Sequence, residues 1–190
     1  QGDRGHIGQI DPKITPQQYL EQERLAETKS EFVDGEVFAM TGASPAHNLI
    51  TGNIIRELGN QLKKRPCRVY SSDQRVQLAN AYVYPDITVV CGRPEFHDTD
   101  NMLNPTLIVE VLSPSTADYD QGGKFARYRQ LPLLQEYLLV SQDRIQVTHY
   151  HRQDSNHWLL TELEDVEAIL ELPGVACRLA LSEVYDKVFD

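Results

Sequence analysis

The segment TLIVEVLS, residues 106–113, constrains this chain more than any other, because it is almost continuously apolar yet carries Glu110 in its middle. A run of this kind suits a central β-strand covered on both faces, since a half-exposed strand alternates apolar with polar residues. An ionised carboxylate in such a strand costs several kcal/mol unless it is paired, protonated or bound to a cation. The fold must therefore sandwich a sheet between two layers and bring a partner to Glu110 from elsewhere in the chain.

The flanking sequence supplies those layers. Thr15-Pro16 before YLEQERLAE predicts a short helix with Thr15 as N-cap and Pro16 in its first position. Asp34-Gly35 within EFVDGEVFAM is a two-residue hairpin signal. Ser44-Pro45 opens a longer helix whose apolar residues Ile50, Ile54, Leu58 and Leu62 recur every fourth position until Pro66 closes it. Beyond Pro66 the period becomes strand-like: CRVYSSDQRVQL, AYVYPDITVV, EYLLVS, and the hairpin-like pair IQVTHYHR and HWLLTEL are rich in β-branched and aromatic residues. ADYDQGGKFARYRQL, between two of these strands, predicts a crossover helix ended by Pro132. The expectation is a single-domain α/β fold: one mixed sheet flanked by helices.

The 190 residues bury enough surface to need no disulfide or metal staple. Cys67, Cys91 and Cys177 form no CxxC pair, so reduced thiols in a cytoplasmic protein are expected. No apolar run exceeds four residues, so no membrane partner is expected. Residues 1–15 lack a signal-peptide core and are set aside as a lead, leaving 16–190 as the domain. The net charge of −10 argues against a strongly basic nucleic-acid coat, although Arg56, Lys63, Lys64, Arg65, Arg68 and Arg75 leave room for a local basic patch.

Three residues carry the chemistry. Asp86, between Pro85 and ITVV, belongs on a strand beside that of Glu110, so two carboxylates could converge where Mg²⁺ or Mn²⁺ would relieve their repulsion. Lys124, on the following helix, could reach them, and Tyr128 lies four residues on, on the same helix face. Two acids and a lysine around a metal suit phosphodiester hydrolysis: the cation polarises the phosphate and the ammonium balances transition-state charge. The bland alternative is an Asp capping a turn, a Glu paired with one buried Arg, and a surface lysine.

EFVDGEVFAMTGASPAHNLI, VYPDITVV, PTLIVEVLSPST, GGKFARYRQL, EYLLVS and LPGVACRLALSEVY together resemble the Uma2, or DUF820, family of the restriction-endonuclease-like PD-(D/E)XK superfamily. The resemblance implies a restriction-endonuclease-like core, catalytic Asp86 and Glu110 on adjacent strands as metal ligands, and cleavage of DNA. A strict ExK motif would put lysine at 112, where this chain has Leu112, so Lys124 is expected to supply the missing ammonium. Glu31 is similar to an acidic residue at the N-terminal edge of such sites, and an exposed acid beside Lys29 is the other reading. His47, in the first turn of its helix, matches a histidine of the family motif; a helix N-terminus disfavours imidazolium, so a neutral ring is expected.

His149 and His151 share one strand face with no third ligand in view, so they are expected to be partly exposed strand residues. Gly122-Gly123 could cradle a phosphate or simply form a turn. GxSxG, HExxH and GxxxxGK are absent, which removes the simple serine-hydrolase, zincin and NTPase readings. The expectation is a metal-dependent endonuclease acting as a homodimer. A binding or regulatory module of the same ancestry and a small-molecule phosphohydrolase are the alternatives.

Overall fold

The computed structural model describes residues 13–113 and 120–190. Thr15 opens α1 (Pro16–Leu25) through a reciprocal capping box with Gln18, each side chain accepting the other's backbone N–H. Tyr19 and Leu20 of this helix pack with Phe32 and Tyr82 in a small aromatic cluster. The hairpin of β1 (Ser30–Val33) and β2 (Glu36–Ala39) turns at Asp34 and Gly35, whose φ values of 50° and 89° match the right-handed strand twist. In α2 (Pro45–Leu62) the Ser44 hydroxyl accepts the His47 N–H, and the fourfold apolar stripe is fully buried.

The chain then runs through β3 (Cys67–Tyr70), β4 (Val76–Leu78), β5 (Ala81–Val83), β6 (Ile87–Cys91), β7 (Phe96–His97), β8 (Asn101–Met102) and β9 (Leu107–Leu112). A π-helical turn over Asp120–Lys124 leads directly into α3 (Phe125–Tyr128). After it come β10 (Glu136–Ser141), β11 (Val147–Arg152), β12 (Trp158–Leu163), β13 (Ile169–Leu172), a 3₁₀ turn (Pro173–Val175), β14 (Cys177–Ala180) and α4 (Leu181–Val184). Of the expected crossover helix, Asp120–Tyr128 is helical, and residues 114–119 lie outside the described part, as do 1–12.

The mixed α/β architecture divides its strands between sheets where one was expected. The main sheet has the order β12-β11-β10-β9-β6-β3, parallel at β9–β10 and antiparallel elsewhere. A second sheet, β2-β1-β5-β4-β8-β7, lies in the layer with α3, and β13-β14 form a separate hairpin. On one face of the main sheet Ile50, Ile54 and Leu58 pack against Ile87, Val109 and Leu138. On the other, Ile108, Leu112 and Leu139 meet Val76, Val83 and Tyr128. Each fully buried aliphatic side chain contributes about 1.5–3 kcal/mol, and both faces of β9 are covered as its sequence requires.

The reduced-thiol expectation fails for two of the three cysteines. β3 and β6 are antiparallel with Cys67 opposite Cys91, 4.0 Å apart at Cα, and the pair is a disulfide; Cys177 stays a buried thiol. The register of two strands far apart in sequence creates this pairing, and no cysteine spacing motif announces it. Arg75 also leaves the basic patch. Its guanidinium is buried, donating to Asn101, Tyr84 and Asp100.

Candidate active site

Glu110 finds its partners on α3 and the turn before it. Tyr128 donates its hydroxyl to Glu110 Oε1 at 2.9 Å, and Lys124 Nζ stands 3.4 Å from the same oxygen. Both side chains are buried. Phe125, between them in sequence, stacks on Tyr150 and Tyr137 at 4.2 and 5.4 Å between ring centres, and Tyr128 tilts against Tyr137 at 5.2 Å. That aromatic packing fixes a helix of one turn, too short to hold itself, so that its polar face looks at β9.

Lys124 Nζ is also 3.4 Å from Glu31 Oε1. Glu31 comes from β1 in the second sheet, and its other oxygen accepts the Tyr84 N–H at 2.7 Å. One ammonium thus bridges carboxylates from the two sheets. Glu31 is not the exposed acid beside Lys29, which instead pairs with Asp73. With a side-chain exposure of 12%, against 6% for Glu110 and 8% for Lys124, it shares a largely dry environment where such pairs interact strongly.

Asp86 precedes β6, whose Ile87 is registered with Val109, so it stands across from Glu110 at the end of the antiparallel pair. Its Oδ2 accepts the Val111 N–H at 2.7 Å, and Oδ1 meets His47 Nε2 at 2.9 Å. The structure therefore brings Glu31, Glu110, Lys124 and Tyr128 into direct contact, and places Asp86 with His47 on the adjoining strand end.

The hydrogen bond to Asp86 raises the His47 pKa above the ordinary imidazole value, against the opposing pull of burial. Among the described residues Nδ1 of the ring is buried without a hydrogen-bond partner, and the Asp86 contact orients the ring. Tyr128 is held far above the usual phenol value by burial and by the Glu110 charge, which keeps its hydroxyl a donor. The donor set of Asp86 and Glu110, one partly buried carboxylate just before β6 and one buried carboxylate in β9, consists of hard oxygens and fits Mg²⁺ or Mn²⁺.

Partial exposure holds for His151, about a quarter exposed, and is corrected for His149, which is buried; both meet Glu136, a third group next to the pair. Glu136 opens EYLLVS, and the β10–β11 register sets it directly opposite His151. A carboxylate opening an apolar strand next to an HxH strand was the available signal.

Comparison with known proteins gives the following. A family model described as "Uma2: Putative restriction endonuclease" matches residues 16–182. Two proteins of Synechocystis sp. (strain ATCC 27184 / PCC 6803 / Kazusa), named uncharacterized protein slr1290 and uncharacterized protein sll1609, are 36% and 42% identical. The first alignment covers 92% of both chains, the second 83% of this chain and 92% of the relative. A crystal structure described as a putative nuclease belonging to DUF820 from Anabaena variabilis ATCC 29413 superposes with a TM-score of 0.75 at 18% identity, over 93% of this chain and 99% of that one. The last likeness establishes the shared fold. Among the described residues no helix is long and apolar enough to cross a membrane.

Proposed function

The chain belongs to the Uma2 family, and we propose that it is a divalent-metal-dependent endonuclease that hydrolyses DNA phosphodiester bonds at the cluster of Asp86, Glu110, Lys124 and Glu31. One observation carries this reading: a buried ammonium is held 3.4 Å from each of two carboxylates that come from different sheets, beside a third carboxylate on the neighbouring strand. Maintaining so many ionisable groups in a dry site costs stability, and that cost is characteristic of functional centres.

Asp86 and Glu110 would hold Mg²⁺ or Mn²⁺. Bound there, such an ion supplies Lewis-acid polarisation of a phosphoryl oxygen. The remaining chemistry belongs to the chain. Lys124 offers N–H donors to the charge that develops on the phosphate, taking the place of a lysine at 112. Glu31, anchored by the Tyr84 N–H, holds Lys124 from the second sheet and accepts a hydrogen bond from the attacking water. His47 and the Val111 N–H fix Asp86, and Tyr128 fixes Glu110. Double-strand cleavage would need two chains, and a homodimer could meet through β12, the outermost strand of its sheet, where Leu159 and Leu160 are half exposed.

The same contacts favour a second reading. Lys124 already compensates Glu31 and Glu110, so the cluster could be a structural ion pair in a binding module of this fold. Nicking of supercoiled plasmid in Mg²⁺ or Mn²⁺ separates the two. Wild type is expected to nick and Asp86→Ala to lose nicking, whereas no nicking by wild type, or equal nicking by both, supports the second reading.

A further inference from the structure

We propose a second metal site, distinct from the carboxylate cluster and built by Glu136, His149 and His151, that takes a borderline transition-metal ion of the Zn²⁺ class. Among the described residues this is the group of three His, Cys, Asp or Glu side chains whose ligand atoms all lie within 4.8 Å of one another. Glu136 Oε2 is 2.5 Å from His149 Nε2, and Oε1 is 2.7 Å from His151 Nδ1. The three residues come from two hydrogen-bonded strands in fixed register, Glu136 opposite His151 and Leu138 opposite His149, so the convergence is set by backbone pairing rather than by flexible side chains.

The chemistry of the set selects the ion. Two imidazoles and one carboxylate suit Zn²⁺ and its neighbours, while Mg²⁺ and Ca²⁺ prefer all-oxygen sites. Glu136 is completely buried, where an ionised carboxylate requires compensation that a divalent cation supplies. The carboxylate is also held from outside the set: Oε1 accepts the Gly174 N–H at 2.9 Å. Gly174 sits so close that a Cβ there would come 2.5 Å from Gln135 Cβ and 3.1 Å from Glu136 Oε1. Such an outer hydrogen bond orients a metal-binding carboxylate. His151, about a quarter exposed, gives the ion its entry and leaves the remaining coordination position toward solvent.

Metal binding would use the lone pairs of the two ring nitrogens that face Glu136, so each ring would carry its proton on its other nitrogen. The site is independent of the proposed nuclease centre. Glu136 shares a face with Leu138, in the core under α2, whereas the register partner of Glu110, Leu139, lies in the opposite core. A bound ion would tie β10 to β11 and hold the Pro173–Val175 turn through Glu136.

The test uses the full chain, stripped with a chelator and titrated with Co²⁺ as a spectroscopic probe and Zn²⁺ as competitor. Wild type is expected to bind one tightly held Co²⁺ per chain in the presence of excess Mg²⁺, with visible ligand-field absorption, to release it to Zn²⁺, and to gain thermal stability on loading. His151→Ala is expected to lose the absorption. His149→Gln, which keeps an N–H donor for Glu136 and so preserves the fold, is expected to lose it too. Asp86→Ala is expected to retain it. Absence of stoichiometric binding by wild type, undiminished binding by the histidine variants, or loss in Asp86→Ala alone would overturn the proposal. Absence of nicking by wild type with intact Co²⁺ binding would count against the nuclease reading only.

Discussion

At the scale of single residues, the account turns on how a buried charge is compensated. Lys124 neutralises parts of Glu31 and Glu110 at once, so Lys124→Met leaves two buried carboxylates without their ammonium. Breaking one partner of a buried pair costs about 3–5 kcal/mol. The variant is expected to unfold at clearly lower urea concentration and, at temperatures where it is folded, to lose nicking by on the order of 10²-fold or more. Unchanged nicking would exclude a catalytic role for the lysine. Tyr128→Phe removes a hydrogen bond to a charged acceptor and little volume, so a loss of about 1.5–3 kcal/mol in urea unfolding is expected. Much at this scale was legible beforehand. A carboxylate inside LIVEVL demands a partner, and the helix after its strand is the nearest source of one. Glu136 escaped because it stands at the start of an apolar strand, where an acid reads as an ordinary solvated end. Arg75 escaped because burial of an arginine depends on partners 9 to 26 residues away.

At the scale of elements, caps and turns told most of the story. The Thr15 box, the Ser44 cap and the Asp34-Gly35 turn lie where the sequence puts them, because each is a local bond between near neighbours. Gly35→Ala forces a side chain into the left-handed region, at about 1–2 kcal/mol, and drives its Cβ to 2.9 Å from Lys13 Cβ. Because β1 carries Glu31, this variant is expected to lower both urea stability and nicking, while Gln22→Ala on the exposed side of α1 lowers neither. The division into two sheets was not legible, since β1–β5 and β4–β8 pairings join segments whose local patterns look alike. The Cys67–Cys91 pairing was hidden for the same reason. Thiol titration of the native protein is expected to find none reactive, since Cys177 is buried, and to find one thiol on unfolding without reductant. Three thiols on unfolding would contradict the disulfide.

At the scale of the whole molecule, charge is distributed rather than merely summed. The net −10 is concentrated toward the C-terminus, while one buried arginine, Arg75, ties the second sheet to Asp100. Hydrogen bonds from Arg24, and then from Arg75, hold Asp100 below the usual carboxylate pKa. A lowered folded value means that the stabilisation is complete above the unfolded pKa and is lost as pH falls through the folded one. Melting temperatures of wild type and Asp100→Asn are therefore expected to differ at neutral pH and to converge in acid; a constant difference would refute the linkage. The proposed centre lies where these layers meet, with β9 and β6 from the main sheet, β1 from the second and α3 between them. Anomalous diffraction from a Mn²⁺-soaked crystal tests that most directly. A peak between the Asp86 and Glu110 carboxylates is the expected result, and a map in which Mn²⁺ avoids both of them would contradict the account.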